Sequence, residues 1–172
     1  MRYRLHVVAS GIADVVKSAG GWLFDRAMAG WDVTVLLAGQ PDGRPLQILG
    51  ARVLDLEDAL VSAGTRPKPQ ALAAAADLFG CDSRVRQGVL QALDHGVTEV
   101  ALWGESWPAE LEGSVGLVQH RLSMAAKMFK ARALSAALNG TEVLHGSIGG
   151  VETFRSGLLA CPSVAADLVP AR

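Results

Sequence analysis

Apolar residues fall into two kinds of segment along this chain. Some are short, predominantly apolar runs, as at residues 3–9 and 31–38. In others they recur every three or four positions. Between the first two runs, Ile12, Val15, Val16, Ala19, Trp22 and Leu23 share one helical stripe, while Asp14, Lys17, Ser18, Asp25 and Arg26 take mostly other faces. Ser10 can cap this helix, because its hydroxyl can accept a free backbone N–H, and Gly30 ends it as a C′ glycine. Such a helix spans about 27 Å and the first run about 23 Å as a strand, so the chain returns to its starting edge. The second strand is then parallel to the first, a βαβ unit.

The same reading continues downstream. Residues 40–44, which include Gln40, form a turn. One of the apolar pieces 46–49 and 53–56 is a third strand, and 56–63 a short helix. Residues 64–69 are a surface loop, since Pro67 and Pro69 break a helix. Alanine-rich residues 70–79 predict a helix, and 84–95 a second one capped by Asp82 or Ser83 and stopped by Gly96. Residues 98–103 predict a strand, 117–138 a long helix, 141–145 a last strand and 152–160 a final short helix. The turn and strand at 30–36, Gly-Trp-Asp-Val-Thr-Val-Leu, resemble the second strand of Rossmann-like domains. The alternation predicts one Rossmann-like three-layer α/β domain over residues 1–161, with a mostly parallel sheet of about five strands. Residues 162–172 are weakly patterned and read as a loose tail.

Composition narrows the function classes. A net charge of −1 favours no polyanionic partner, and no apolar run reaches membrane-spanning length. Residues after Arg2 and Arg4 lack the apolar core of a signal peptide, so a cytoplasmic protein is expected. Cys81 and Cys161 lie far apart and outside any CxxC pattern, which reads as reduced and structural. The four histidines are scattered without metal-ligand spacing, so neither a metal nor another cofactor is expected.

Candidate chemistry is placed by one rule: ligands of open parallel sheets bind outside the carboxyl ends of the strands. That selects Ser10 and Gly11 after the first strand, and Glu105, Ser106 and Trp107 after residues 98–103. It also selects His145, Gly146, Ser147, Gly149 and Gly150, where a glycine-rich turn can bring backbone N–H groups close to an anion. Neither GxGxxG nor GxxxxGK[ST] occurs. Glu105 is a candidate general base and Trp107 a stacking surface. His120, Arg121, Lys127, Lys130 and Arg132 form a candidate basic face on the expected long helix, which carries no carboxylate between Gly113 and Gly140. Residues 72–96 also resemble a helix-turn-helix, with Arg84 and Arg86 at the start of the second helix. Gly20 and Gly21, inside the first helix, each cost about 1 kcal/mol against alanine.

With no catalytic motif, the sequence alone favours a non-catalytic α/β binding or interaction domain. It would take a small anionic ligand or a partner at the carboxyl edge and associate as a homo-oligomer. An enzyme acting on a phosphorylated or nucleotide-like small substrate is the alternative. A nucleic-acid-binding protein using the basic helix is a further one.

Overall fold

The computed structural model describes residues 1–39, 41–157 and 166–171. Gln40, Cys161 and residues 158–160 of the expected final helix lie outside them. β1 (Arg4–Ala9), α1 (Ile12–Met28) and β2 (Asp32–Leu37) form the expected βαβ unit, with Val7 opposite Val35 in a parallel pair. Gly30 follows α1 at φ +92°, a left-handed conformation that turns the chain into β2 without Cβ strain.

The chain continues through α2 (Arg44–Ile48), β3 (Arg52–Asp55), α3 (Leu56–Val61), β4 (Ala71–Ala75), α4 (Ala76–Cys81), α5 (Ser83–His95) and β5 (Glu99–Trp103). Strands β3, β2, β1, β4 and β5 lie side by side and parallel. Three more strands extend this sheet: β6 (Val115–Arg121), β7 (Val151–Gly157) and β8 (Val169–Pro170), with α6 (Met124–Ala137) between β6 and β7. β7 runs antiparallel to β5, β6 to β7, and β8 to β6. The order is β3-β2-β1-β4-β5-β7-β6-β8. The sheet therefore has eight strands and is mixed, which corrects the expectation of a mostly parallel sheet of about five.

Each difference has a physical cause. Residues 71–75 are alanine-rich yet form a central strand, fully buried at Ala71, Ala73 and Ala74. Helix propensity is a weak preference, and pairing with β1 and β5 under cover on both faces overrides it. Consequently the first helix of the helix-turn-helix reading shrinks to the six residues of α4, Ala76–Cys81, directly after a central strand of the sheet. The expected long helix divides at Leu122, because Ser123 is a true N-cap whose Oγ accepts the Ala126 N–H at 3.0 Å. His120 and Arg121 thus belong to a strand. Residues 141–145 form no strand, and residues 145–147 make a single 3₁₀ turn. In β7 exposed Val151 and Thr153 alternate with buried Glu152 and Phe154, a period of two hidden by the charged residue facing inward.

Helices cover both faces. Leu5, Val7 and Val35 pack beneath α1, α2 and α6, through Trp22, Leu46 and Ala126. On the other face Val8, Leu36 and Leu102 pack beneath α3, α4 and α5, through Leu56, Phe79 and Val85. Asp167, just before β8, is held too. Asp167 accepts from Trp22 Nε1 at 3.0 Å and from Arg26 at 2.6 Å, and Arg26 also reaches Glu99 at 2.6 Å. No described helix is long and apolar enough to cross a membrane.

Candidate active site at the carboxyl edge

The carboxyl ends of β1, β4 and β5 meet at one edge of the sheet. The start of β7 joins them there, because β7 runs against β5. Ser10, the first residue after β1, donates its hydroxyl to Asp77 Oδ2 at 3.0 Å. It does not cap α1: Gly11 is the N-cap, and no side chain caps it. Asp14, in the first turn of α1, accepts from Trp103 Nε1 at 2.9 Å, tying α1 to the end of β5. Gly104 follows at φ +143°, and a Cβ there would stand 2.9 Å from Ala76 Cβ. The close approach of β5 to α4 therefore requires glycine.

A cavity of about 380 Å³ opens beside this turn. Lys17 and Ser18 of α1, Trp103 and Glu105 of β5 and its loop, Lys130 of α6 and Glu152 of β7 all border it. Two of these groups are committed to each other. Lys130 Nζ donates to Glu152 Oε1 at 2.6 Å, with both side chains buried. Glu152 also accepts the backbone N–H groups of Gly21 and Trp22, each at 2.8 Å. Lys130 Nζ donates in addition to the Lys17 carbonyl at 2.7 Å, the group that the Gly21 N–H would address in a regular helix. Burial pushes the Glu152 carboxyl above its usual range, against the pull of Lys130 and the two N–H donors. Glu105 is exposed beside this buried pair.

Of the residues chosen from sequence, Glu105, Lys130 and Gly149 border this cavity. Ser106 is exposed, and Trp107 lies under the Arg155 guanidinium, 4.7 Å from the ring centroid. His145 lines a different cavity with Met128, Phe129 and Arg132. Gly146 is exposed, and Ser147 Oγ is turned back onto the Leu144 carbonyl at 2.7 Å. Gly150 approaches Lys127. The five basic-face residues are dispersed. His120 is buried on β6, bonded to Asp25 Oδ2 at 2.8 Å and the Asp167 carbonyl at 3.1 Å. Lys130 is buried on Glu152, Lys127 is half-buried, and Arg121 and Arg132 are exposed. Glu152, Asp14 and Asp77 escaped the sequence reading. The glycine pair at 20–21 was the one signal pointing to Glu152.

On the sheet's other face, a cavity of about 320 Å³ lies among β1, β2, β3, α3 and α5. His6 borders it. Burial holds the His6 imidazole below its ordinary value of 6.5; Asp32 opposes this, while Arg4, Arg66 and Arg52 reinforce it. The folded state thus binds this proton less readily than the unfolded chain. Its contribution to stability is full above pH 6.5 and is lost as pH falls through the lowered folded value. Urea denaturation at pH 7.5 and pH 5 should show a larger fall for the native chain than for His6→Gln. Equal falls would exclude His6 as the source.

No family model and no curated protein matches this chain. Solved structures do. A teicoplanin deacetylase in complex with teicoplanin matches 93% of this chain and 100% of its own, at 15% identity and a TM-score of 0.62. N,N'-diacetylchitobiose deacetylase from Pyrococcus horikoshii matches 89% of this chain and 83% of its own, at 10% identity and 0.57. The 4-carboxy-2-hydroxymuconate hydratase of Pseudomonas putida matches 97% and 100%, at 15% identity and 0.52. The chain therefore has the α/β fold seen in these deacetylases. That finding corrects the expectation of a non-catalytic binding domain, because the deacetylases and the hydratase that share the fold are enzymes.

One matched teicoplanin deacetylase structure is a zinc-inhibited form. Among the described residues of this chain, no three His, Cys, Asp or Glu side chains stand together to hold a metal ion. At the carboxyl edge Asp14 and Asp77 are already engaged by Trp103 and Ser10, and no histidine borders the cavity. This donor set does not fit a divalent cation.

Proposed function

We propose that this chain is an enzyme that delivers water to a small polar substrate at the carboxyl-edge cavity, removing an acyl group from nitrogen. The reading is carried by the convergence on that cavity of an exposed carboxylate, Glu105, with Lys17 beside a buried Lys130–Glu152 pair. The fold likeness supports it: deacetylation and hydration both use water as the nucleophile. In the proposed reaction Glu105 takes a proton from water as its oxygen attacks the acyl carbonyl. Lys17 faces the negative charge that develops on the carbonyl oxygen. Collapse breaks the C–N bond, the proton passes from Glu105 to the departing nitrogen, and an amine and a carboxylic acid leave, the acid giving its proton to water.

A general base is worth about 10²- to 10⁴-fold in rate. Release of primary amine from N-acetylglucosamine, its 6-phosphate and N,N'-diacetylchitobiose should be detectable with an amine-reactive dye. Glu105→Gln should lower kcat on the best of them at least 100-fold with KM little changed. No amine release from any of the three, or full activity in Glu105→Gln, would refute the assignment.

A further inference from the structure

We propose that the cavity on the opposite face of the sheet binds an amphiphilic carboxylate, an apolar chain of about eight carbons with an anionic head. The site lies apart from the carboxyl edge and does not depend on the reaction proposed there. Its floor is apolar, built from Val8, Leu36, Leu56, Leu72, Val85 and Val89. Its charges gather at the opposite end from Glu105. Arg4, Asp32 and Arg52 are the first residues of their strands, and Arg66 and Lys68 stand in the loop that enters β4.

The balance of charge there is cationic. Asp32 is the one carboxylate among the described lining residues, and Arg52 holds it at 2.8 Å. Arg84 is locked by Glu57 and Asp82. Arg4, Arg66 and Lys68 make no ion pair with any described residue. A guanidinium offers a carboxylate two parallel N–H donors, so these groups suit an anionic head above an apolar chain. The interior of α5 supplies an independent sign. Gly88 borders the cavity, yet a Cβ there would meet nothing within 4 Å, and its φ is not in the left-handed region. Glycine weakens a helix interior relative to alanine. Among the described residues no turn and no close packing requires it at that exposed position, so the cavity is open there.

Isothermal titration calorimetry with octanoate, octanol and acetate tests the site. Octanoate should bind with one-to-one stoichiometry and at least tenfold more tightly than octanol, and acetate should give no heat. Arg66→Glu with Lys68→Glu, both exposed loop positions, should weaken octanoate at least tenfold. Gly88→Leu should do the same by narrowing the cavity, with a melting temperature equal to or above that of the native chain. Glu105→Gln should bind octanoate normally, so a failure of the proposed deacylation leaves this result unaffected. Absence of octanoate binding, equal affinity for octanol, or unchanged binding in both variants would overturn the proposal.

Discussion

Replacing Gly21 with alanine should destabilise the protein by about 3 kcal/mol, whereas the same change at Gly20 should be neutral or stabilise it by up to about 1 kcal/mol. The two glycines are adjacent in one helix, so propensity alone predicts the same gain at both. Their surroundings differ. A Cβ at Gly20 would sit 3.4 Å from Leu49 Cδ1 and 3.5 Å from Lys130 Cγ, ordinary van der Waals contact. A Cβ at Gly21 would fall 2.3 Å from Leu122 Cδ2 and 2.4 Å from Leu122 Cγ, with Glu152 Oε1 at 3.2 Å. Leu122 is 5% exposed and its N–H is bonded to the Gly150 carbonyl at 2.9 Å, so it cannot swing away without moving the β6–α6 junction. The gain in helix propensity is therefore outweighed by overpacking. For a chain of this size, about 3 kcal/mol corresponds to a fall of roughly 6–12 °C in melting temperature. Urea denaturation of the two single variants decides the matter. Gly21→Ala as stable as Gly20→Ala would show that α1 does not approach Leu122 this closely.

This glycine pair illustrates what the sequence discloses and what it withholds. Much of the local grammar of caps and turns is legible. Gly30 and Gly96 adopt the left-handed conformations that end α1 and α5, and Asp82 caps α5 by accepting from the Arg84 and Val85 N–H groups. The strand at β5 and its exit loop were also legible, which is how Glu105 came into view. The sequence misleads where long-range pairing decides the outcome. Residues 71–75 become a strand only because β1 and β5 flank them. Residues 115–121 become a strand because β7 pairs with them along their whole length. Glu152 falls in the expected final short helix at 152–160, since a carboxylate in a strand facing the core has no local signature. Its partners lie on two other elements, Gly21 and Trp22 on α1 and Lys130 on α6. The cost of placing glycine in a helix is visible in one dimension. The carboxylate that makes it worthwhile becomes visible only when the chain is folded.

That carboxylate supports the second large effect. Lys130→Met should cost about 3–5 kcal/mol near pH 8, because it leaves a buried charge without its counter-ion. The substitution keeps most of the apolar stem of Lys130 but removes the ammonium that donates to Glu152 Oε1 and to the Lys17 carbonyl. Glu152 retains the Gly21 and Trp22 N–H groups, which orient it but carry no full charge. Its carboxyl already lies above the usual range because of burial, and Lys130 is the first of the opposing influences. Without Lys130 the folded state should hold the proton still more strongly. A carboxyl whose folded value exceeds its unfolded value of about 4.5 is favoured at low pH. That advantage is lost as pH rises through the folded value. The penalty of Lys130→Met should accordingly be smaller at pH 5 than at pH 8. Combining it with Glu152→Gln, which removes the stranded charge, should recover part of the loss at pH 8 and abolish most of the pH dependence. Equal penalties at both pH values, or a double variant no better than Lys130→Met, would mean that Glu152 is not held as a buried carboxylate by Lys130.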